Sequence, residues 1–189
     1  YFYHTFYPFQ IDLNWENPEV LYQMLNVVGY WCNQGIDTFR LDAVPFLIKD
    51  DGTTGENAAK THALINLISS FIQSSCPNSV LQAEAGQSPK DILPYFGKEE
   101  SYNYTDLNKT VNITRTEEVQ IAYNFPLMPA LWSTMLLGNN SYFWNVYDSI
   151  PVIPSSDSWA NFLRVHDELT LETALPSVRQ PLYNALIKN

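Results

Sequence analysis

Gly35-Ile36-Asp37-Thr38-Phe39-Arg40-Leu41-Asp42 is a short extended run, and what stands before it decides how it is read. Asn17-Pro18 has the form of an N-cap followed by proline at the first helical position. Val20, Leu21, Met24, Leu25, Val28, Trp31 and Cys32 then recur at helical spacing, and Gly35 supplies the stop. A helix therefore feeds directly into a strand that ends on ionisable residues.

The same unit recurs downstream. Beyond a polar, glycine-bearing loop at about 49–57, Ala63, Leu64, Leu67, Ile68 and Phe71 predict a second helix. The Cys76-Pro77-Asn78 turn leads into a second apolar run, Val80-Leu81-Gln82-Ala83-Glu84-Ala85. Ser88-Pro89 opens a short helix through Asp91, Ile92 and Tyr95 to Gly97, and the polar residues 98–116 are expected to form a loop. Residues 119–125 read as a third strand, 127–137 as a helix closed by Gly138, and Phe162-Leu163-Arg164-Val165-His166-Asp167 as a fourth strand. Strands alternating with helices predict a parallel sheet in an α/β fold. The runs recur about every 40 residues, a βα unit with generous loops. A (β/α)8 barrel needs eight such units and about 250 residues, so about four strands amount to roughly half of a TIM barrel.

Composition narrows the partners. The 189 residues carry 10 Lys and Arg against 20 Asp and Glu, a net charge of −10. That argues against nucleic acid or an anionic membrane surface. Hydrophobic residues make up 46% and charged ones 16%, too apolar for disorder and enough for a real core. No stretch approaches the roughly 18 apolar residues of a membrane span. The opening Tyr1-Phe2-Tyr3-His4 reads as an internal segment of a longer polypeptide. Cys32 and Cys76 are expected to be two buried, small apolar residues, with a disulfide as the minority reading. Four N-x-Ser/Thr sequons occur, at Asn103, Asn108, Asn112 and Asn139. With 17 Asn and 26 Ser plus Thr, chance supplies about two, so a secreted or lumenal chain is compatible but not shown.

Three strand ends carry the candidate chemistry. Arg40 and Asp42 are two residues apart and share a strand face. A cation beside a carboxyl favours the carboxylate form that a nucleophile needs. Glu84 ends an otherwise apolar strand, a setting that raises a carboxyl pKa and suits proton donation. His166 and Asp167 end the fourth run. Each has a blander reading: a structural ion pair, an ordinary strand-end residue, a satisfied core pair or cap. Their joint placement at strand C-termini, where barrel enzymes assemble their sites, favours chemistry. A nucleophilic and an acidic carboxyl on neighbouring strands form the constellation of a retaining glycosidase. Tyr1, Phe2, Tyr3, Phe6, Tyr7 and Phe9 crowd the start of the chain, either to stack on sugar rings or to pack a loop on the barrel rim.

Residues 35–44 resemble the second signature region of the α-amylase family, glycoside hydrolase family 13. Leu81 to Ala85 is similar to its third region, 162–167 to its fourth, and Gln10-Ile11-Asp12-Leu13-Asn14 to the extra region of its α-glucosidase-like branch. The longer strings 10–18, 125–129 and 166–172 look most like the family's trehalose synthases, and sucrose phosphorylases and oligo-1,6-glucosidases share parts of them. The resemblance implies residues 1–17 as the end of an inserted loop domain, followed by βα units through the seventh strand of a partial catalytic barrel. It implies Asp42 as nucleophile, Glu84 as general acid/base and Asp167 as the third carboxylate. Arg40 would orient Asp42, and His166 would hold the same sugar. The implied activity is hydrolysis or transglucosylation of a small α-glucoside such as maltose, trehalose or sucrose, through a covalent glucosyl-Asp intermediate. The rival is a catalytically silent carbohydrate-binding or structural relative. No cofactor is implied within the segment, since the family's frequent calcium site lies outside it. The expected partners are a small carbohydrate and the remainder of the barrel. Two departures stand out: Val165 occupies a position that is usually Asn, and Ile11 one that is commonly Pro. The family's first region, an Asp near an Asn-His pair, is absent from these residues.

Overall fold

The computed structural model describes every residue except Tyr1, Asp51, Glu168, Thr170 and Asn189, and the side chain of Asp106. Helix α1 spans Pro18–Asn33. The Asn17 side chain accepts a hydrogen bond from the Glu19 amide at 3.0 Å, satisfying one of the free N–H groups of the first turn. Gly35, at φ 82°, turns the chain out of the helix and into β1, Thr38–Leu41. Helix α2, Ala59–Ser75, buries Thr61, Leu64, Ile65, Ile68, Ser69 and Ile72, one stripe at helical spacing. It leads into β2, Val80–Ala83, whose Leu81 and Ala83 are fully buried.

The main sheet continues through β5, Ile121–Tyr123, and β6, Ser158–Ala160. Its strand order is β1-β2-β5-β6, and every pairing is parallel. Neighbours follow chain order with no reversal. That is how a barrel winds; a doubly wound sheet has a switch point where the order turns back. The sheet is thus four parallel strands of a (β/α)8 barrel. Helix α4, Leu127–Leu137, ends at Gly138 in the left-handed conformation, and α5 (Ser141–Tyr147) and α6 (Pro176–Lys188) pack against it. The principal core lies between α2, β2 and the turn after β2, with Ile65, Ile72, Leu81, Ile92, Tyr95 and Phe96 fully or almost fully buried. A smaller core gathers Met128, Leu171 and Leu182.

Three expectations are corrected. Residues 99–116 are not a loop: β3 (Glu99–Asp106) and β4 (Lys109–Thr116) form an antiparallel hairpin with Asn103 opposite Asn112. It follows the short helix α3 (Pro89–Ile92) and the tight turn to Phe96. The fourth sheet strand is 158–160, not 162–167, because Ser158, Trp159 and Ala160 are the residues in register with β5. Phe162 instead turns its ring onto Tyr123 and Phe125. Finally, Cys32 and Cys76 are joined in a disulfide, with Cα atoms 5.9 Å apart. It ties the last turn of α1 to the residue that closes α2.

No helix among the described residues is long and apolar enough to cross a membrane.

Candidate active site

Asp42 and Glu84 each follow the last residue of their strand, at the C-terminal edge of the sheet. Their backbones are fastened together there. The Glu84 amide donates to the Leu41 carbonyl at 3.0 Å, and the Val44 amide donates to the Glu84 carbonyl at 3.0 Å. Between those bonds the chain reverses at Ala43, whose φ of 46° and ψ of 44° are left-handed, a costly conformation for a residue with a Cβ. Buried Val44 anchors the far side of that turn. Asp42 is therefore held against Glu84 by backbone geometry before any side-chain contact is counted.

Arg40 joins the two carboxyls. One guanidinium nitrogen lies 2.9 Å from Asp42 Oδ1 and the other 2.5 Å from Glu84 Oε2. The planar fork suits two acceptors at once. The surroundings differ sharply: 72% of the Asp42 side chain is exposed, against 15% for Glu84. Burial pushes the Glu84 carboxyl above the usual carboxylate range, and its contact with Asp42 pushes the same way, while Arg40 opposes both. One carboxyl stands open to solvent and its neighbour is biased towards holding a proton. That is the division of labour that nucleophile and general acid require.

A cleft of about 530 Å³ opens beside Asp42, lined by Arg40, Phe6, Asp12, Trp15 and Phe46 among others. Lys49 pairs with Asp12 at 2.7 Å and donates to Thr5 Oγ1 at 2.7 Å, pinning the segment that contains residues 10–14 over the turn after β1. Of the early aromatics, Phe6 packs edge-on to Phe46 and Tyr7 stacks on Phe9, whereas Phe2 and Phe9 are 79% exposed. Tyr1 lies outside the described residues.

On the other side of Arg40, its guanidinium carbon sits 6.0 Å from the centre of the Tyr123 ring. Tyr123, Phe125 and Phe162 meet in a cluster with centroids 5.1–5.8 Å apart. Sequence reasoning passed over this cluster as a site feature. The available signal was an aromatic at the C-terminal end of a strand next to the one bearing Glu84.

His166 and Asp167 are exposed and pair with each other at 3.3 Å. They follow the end of β6 by several residues rather than closing a strand. Among the described residues no hydrogen bond or ion pair joins them to Arg40, Asp42 or Glu84. Ion pairs thus join Arg40, Asp42 and Glu84, while His166 and Asp167 pair with each other. Glu168 and Thr170, within the 166–172 string, lie outside the described residues.

The chain is 35% identical to a trehalose synthase of Pimelobacter sp. (strain R48), over 100% of its own length and 32% of that protein's. It is 31% identical to the glucosylglycerate phosphorylase of Escherichia coli (strain K12), over 88% of its length and 27% of that protein's. It therefore spans less than a third of the length of these curated relatives. Among solved structures, sucrose 6F-phosphate phosphorylase from Thermoanaerobacter thermosaccharolyticum superposes on 95% of the chain and 32% of its own, with a TM-score of 0.71 at 17% identity, a likeness of fold. The family model for the alpha-amylase catalytic domain matches residues 1–175, and the chain belongs to the alpha-amylase family.

Proposed function

We propose that the protein containing this chain is a retaining enzyme acting on small α-glucosides. The observation that carries the reading is the Arg40 bridge: one guanidinium holds an exposed and a buried carboxyl side by side at adjacent strand ends. Asp42 attacks the anomeric carbon of the glucosyl unit. Glu84 gives its proton to the departing oxygen, and a covalent glucosyl-Asp42 ester forms. Glu84, now a carboxylate, then takes a proton from the incoming water or sugar hydroxyl, which displaces Asp42 and restores the original configuration. Arg40 orients Asp42. Asp167 and His166 are assigned to the hydroxyls of the bound glucosyl unit, and residues beyond this chain complete the barrel around it. The relatives' names, trehalose synthase and glucosylglycerate phosphorylase, support a glucosyl donor passed to a small acceptor.

The test uses the complete protein. Asp42→Asn should abolish turnover while substrate binding persists. Glu84→Gln, given an activated aryl α-glucoside, should accumulate one hexose on the peptide containing Asp42, because the base for the second step is gone. A hexose on another carboxylate, or full activity in Asp42→Asn, overturns the assignment. A silent carbohydrate-binding relative would bind the sugar and form no adduct.

A further inference from the structure

The β3–β4 hairpin stands apart from this chemistry. Its root is fixed at the N-terminal ends of β2 and β5. Arg115 donates to Gln120 Oε1 at 2.9 Å and to the Ser79 carbonyl at 3.4 Å, while Gln120 also accepts from the Leu81 amide at 3.1 Å. Glu84 lies at the opposite end of β2, beside Asp42 at the same edge of the sheet at the end of β1. At about 3.3 Å per residue, the root is about 15 Å from the carboxyls.

The two faces of the hairpin are chemically distinct. One carries Tyr102 opposite Ile113 and Tyr104 opposite Val111. The other is a ladder of small polar pairs: the hydroxyls of Ser101 and Thr114 at 2.8 Å, the amides of Asn103 and Asn112 at 3.2 Å, and the hydroxyls of Thr105 and Thr110 at 3.0 Å. Strand alternation puts the Asn and Thr of two sequons on this face. Asn at i and Thr at i+2 fall on one face, so Asn103 with Thr105, and Asn112 with Thr114, present amide and hydroxyl together. Asn108, in the two-residue turn, is followed at the same spacing by Thr110. All three Asn are exposed. The Cys32–Cys76 disulfide is an independent observation pointing to a chain that matures in an oxidising compartment.

We propose that this hairpin is an N-glycosylation arm, accepting oligosaccharide at Asn103, Asn108 and Asn112 on the end of the sheet away from the active site. The donor is a lipid diphosphate-linked oligosaccharide. The Asn Nδ2 forms a bond to the anomeric carbon of the sugar, the bond from that carbon to the diphosphate oxygen breaks, the amide loses one proton, and the lipid diphosphate leaves.

The experiment is to secrete the complete protein from a eukaryotic host and digest it without reduction. Peptides covering 99–116 are analysed by mass spectrometry before and after treatment with peptide-N-glycosidase in 18O-water. The expected result is hexosamine-bearing forms of those peptides that collapse to 18O-labelled Asp at the three positions. Thr105→Val, Thr110→Val and Thr114→Val leave each Asn in place and should each remove one site. They also cover the case in which the triple Asn→Gln variant fails to fold. Secreted, disulfide-bonded protein whose 99–116 peptides are unmodified overturns the proposal, and so does glycan confined to Asn139. The readout does not depend on catalytic activity.

Discussion

Arg40→Gln isolates what the guanidinium does for the proton on Glu84. Burial and Asp42 both hold that carboxyl above its ordinary range, and Arg40 is the group working against them. Removing the charge should therefore raise the Glu84 pKa further. With charge centres about 4 Å apart, two unit charges interact by about 4 kcal/mol at an effective dielectric near 20. Arg40 is 30% exposed, so solvent screening reduces this, and about 2 kcal/mol is the reasonable figure. Glutamine retains an N–H donor for Glu84, so the change reports charge more than hydrogen bonding. The assay is kcat/KM for an aryl α-glucoside against pH in the complete protein. Its alkaline limb reports loss of the general acid's proton in the free enzyme. The limb should move to higher pH, while the rate at the optimum falls because Asp42 is less firmly oriented. Should the rate fall too low to profile, 13C-NMR titration of labelled Glu carboxyls, with Glu84 assigned by Glu84→Gln, reads the same shift directly. A limb or titration that stays in place, or moves to lower pH, refutes the coupling between Arg40 and Glu84.

Much of this site was legible because strand and helix periods were clean. Asn17-Pro18 and Gly35 bracket α1 in the chain as they do in space, and the apolar runs at β1 and β2 deliver Asp42 and Glu84 to one edge. What escaped depended on contacts between distant residues. Ser158-Trp159-Ala160 is too short to stand out beside the more apolar 162–165, and only pairing with β5 selects it. The hairpin hid because its outer ladder is hydroxyl and amide and its turn, Leu107-Asn108, contains no glycine; Leu107 adopts φ 44° instead. Cys32 and Cys76 are 44 residues apart with no spacing that marks a pair, and only the packing of α1 against α2 brings them together. Ala43 carries no sequence mark of its left-handed backbone, although that turn sets Asp42 against Glu84.

Three further outcomes follow from the packing. Replacing Cys32 and Cys76 by Ser opens a crosslink across 44 residues, worth about 4 kcal/mol by loop-closure entropy, so the denaturation midpoint of the complete protein should fall and lose its sensitivity to reductant; an unchanged midpoint refutes the tie. Burial raises the Asp157 carboxyl to about 6 from its ordinary 3.8, so the native state holds this proton more tightly than the unfolded chain does. Its contribution is intact at low pH and declines as pH rises through that window, so Asp157→Asn should gain about 1–2 kcal/mol on wild type at pH 7.5 and nothing near pH 3, by paired urea titrations; a difference independent of pH refutes it. The last concerns the isolated polypeptide 1–189. Among the described residues, β1 pairs only with β2 and β6 only with β5, so each presents one open edge, and α1 buries no residue fully while Tyr22, Val27, Tyr30 and Trp31 stand exposed. Open strand edges beside uncovered apolar side chains are templates for association. Produced alone, this segment should aggregate or unfold without a cooperative transition, and a soluble monomer with a sharp two-state melt would show that the four strands need nothing beyond themselves.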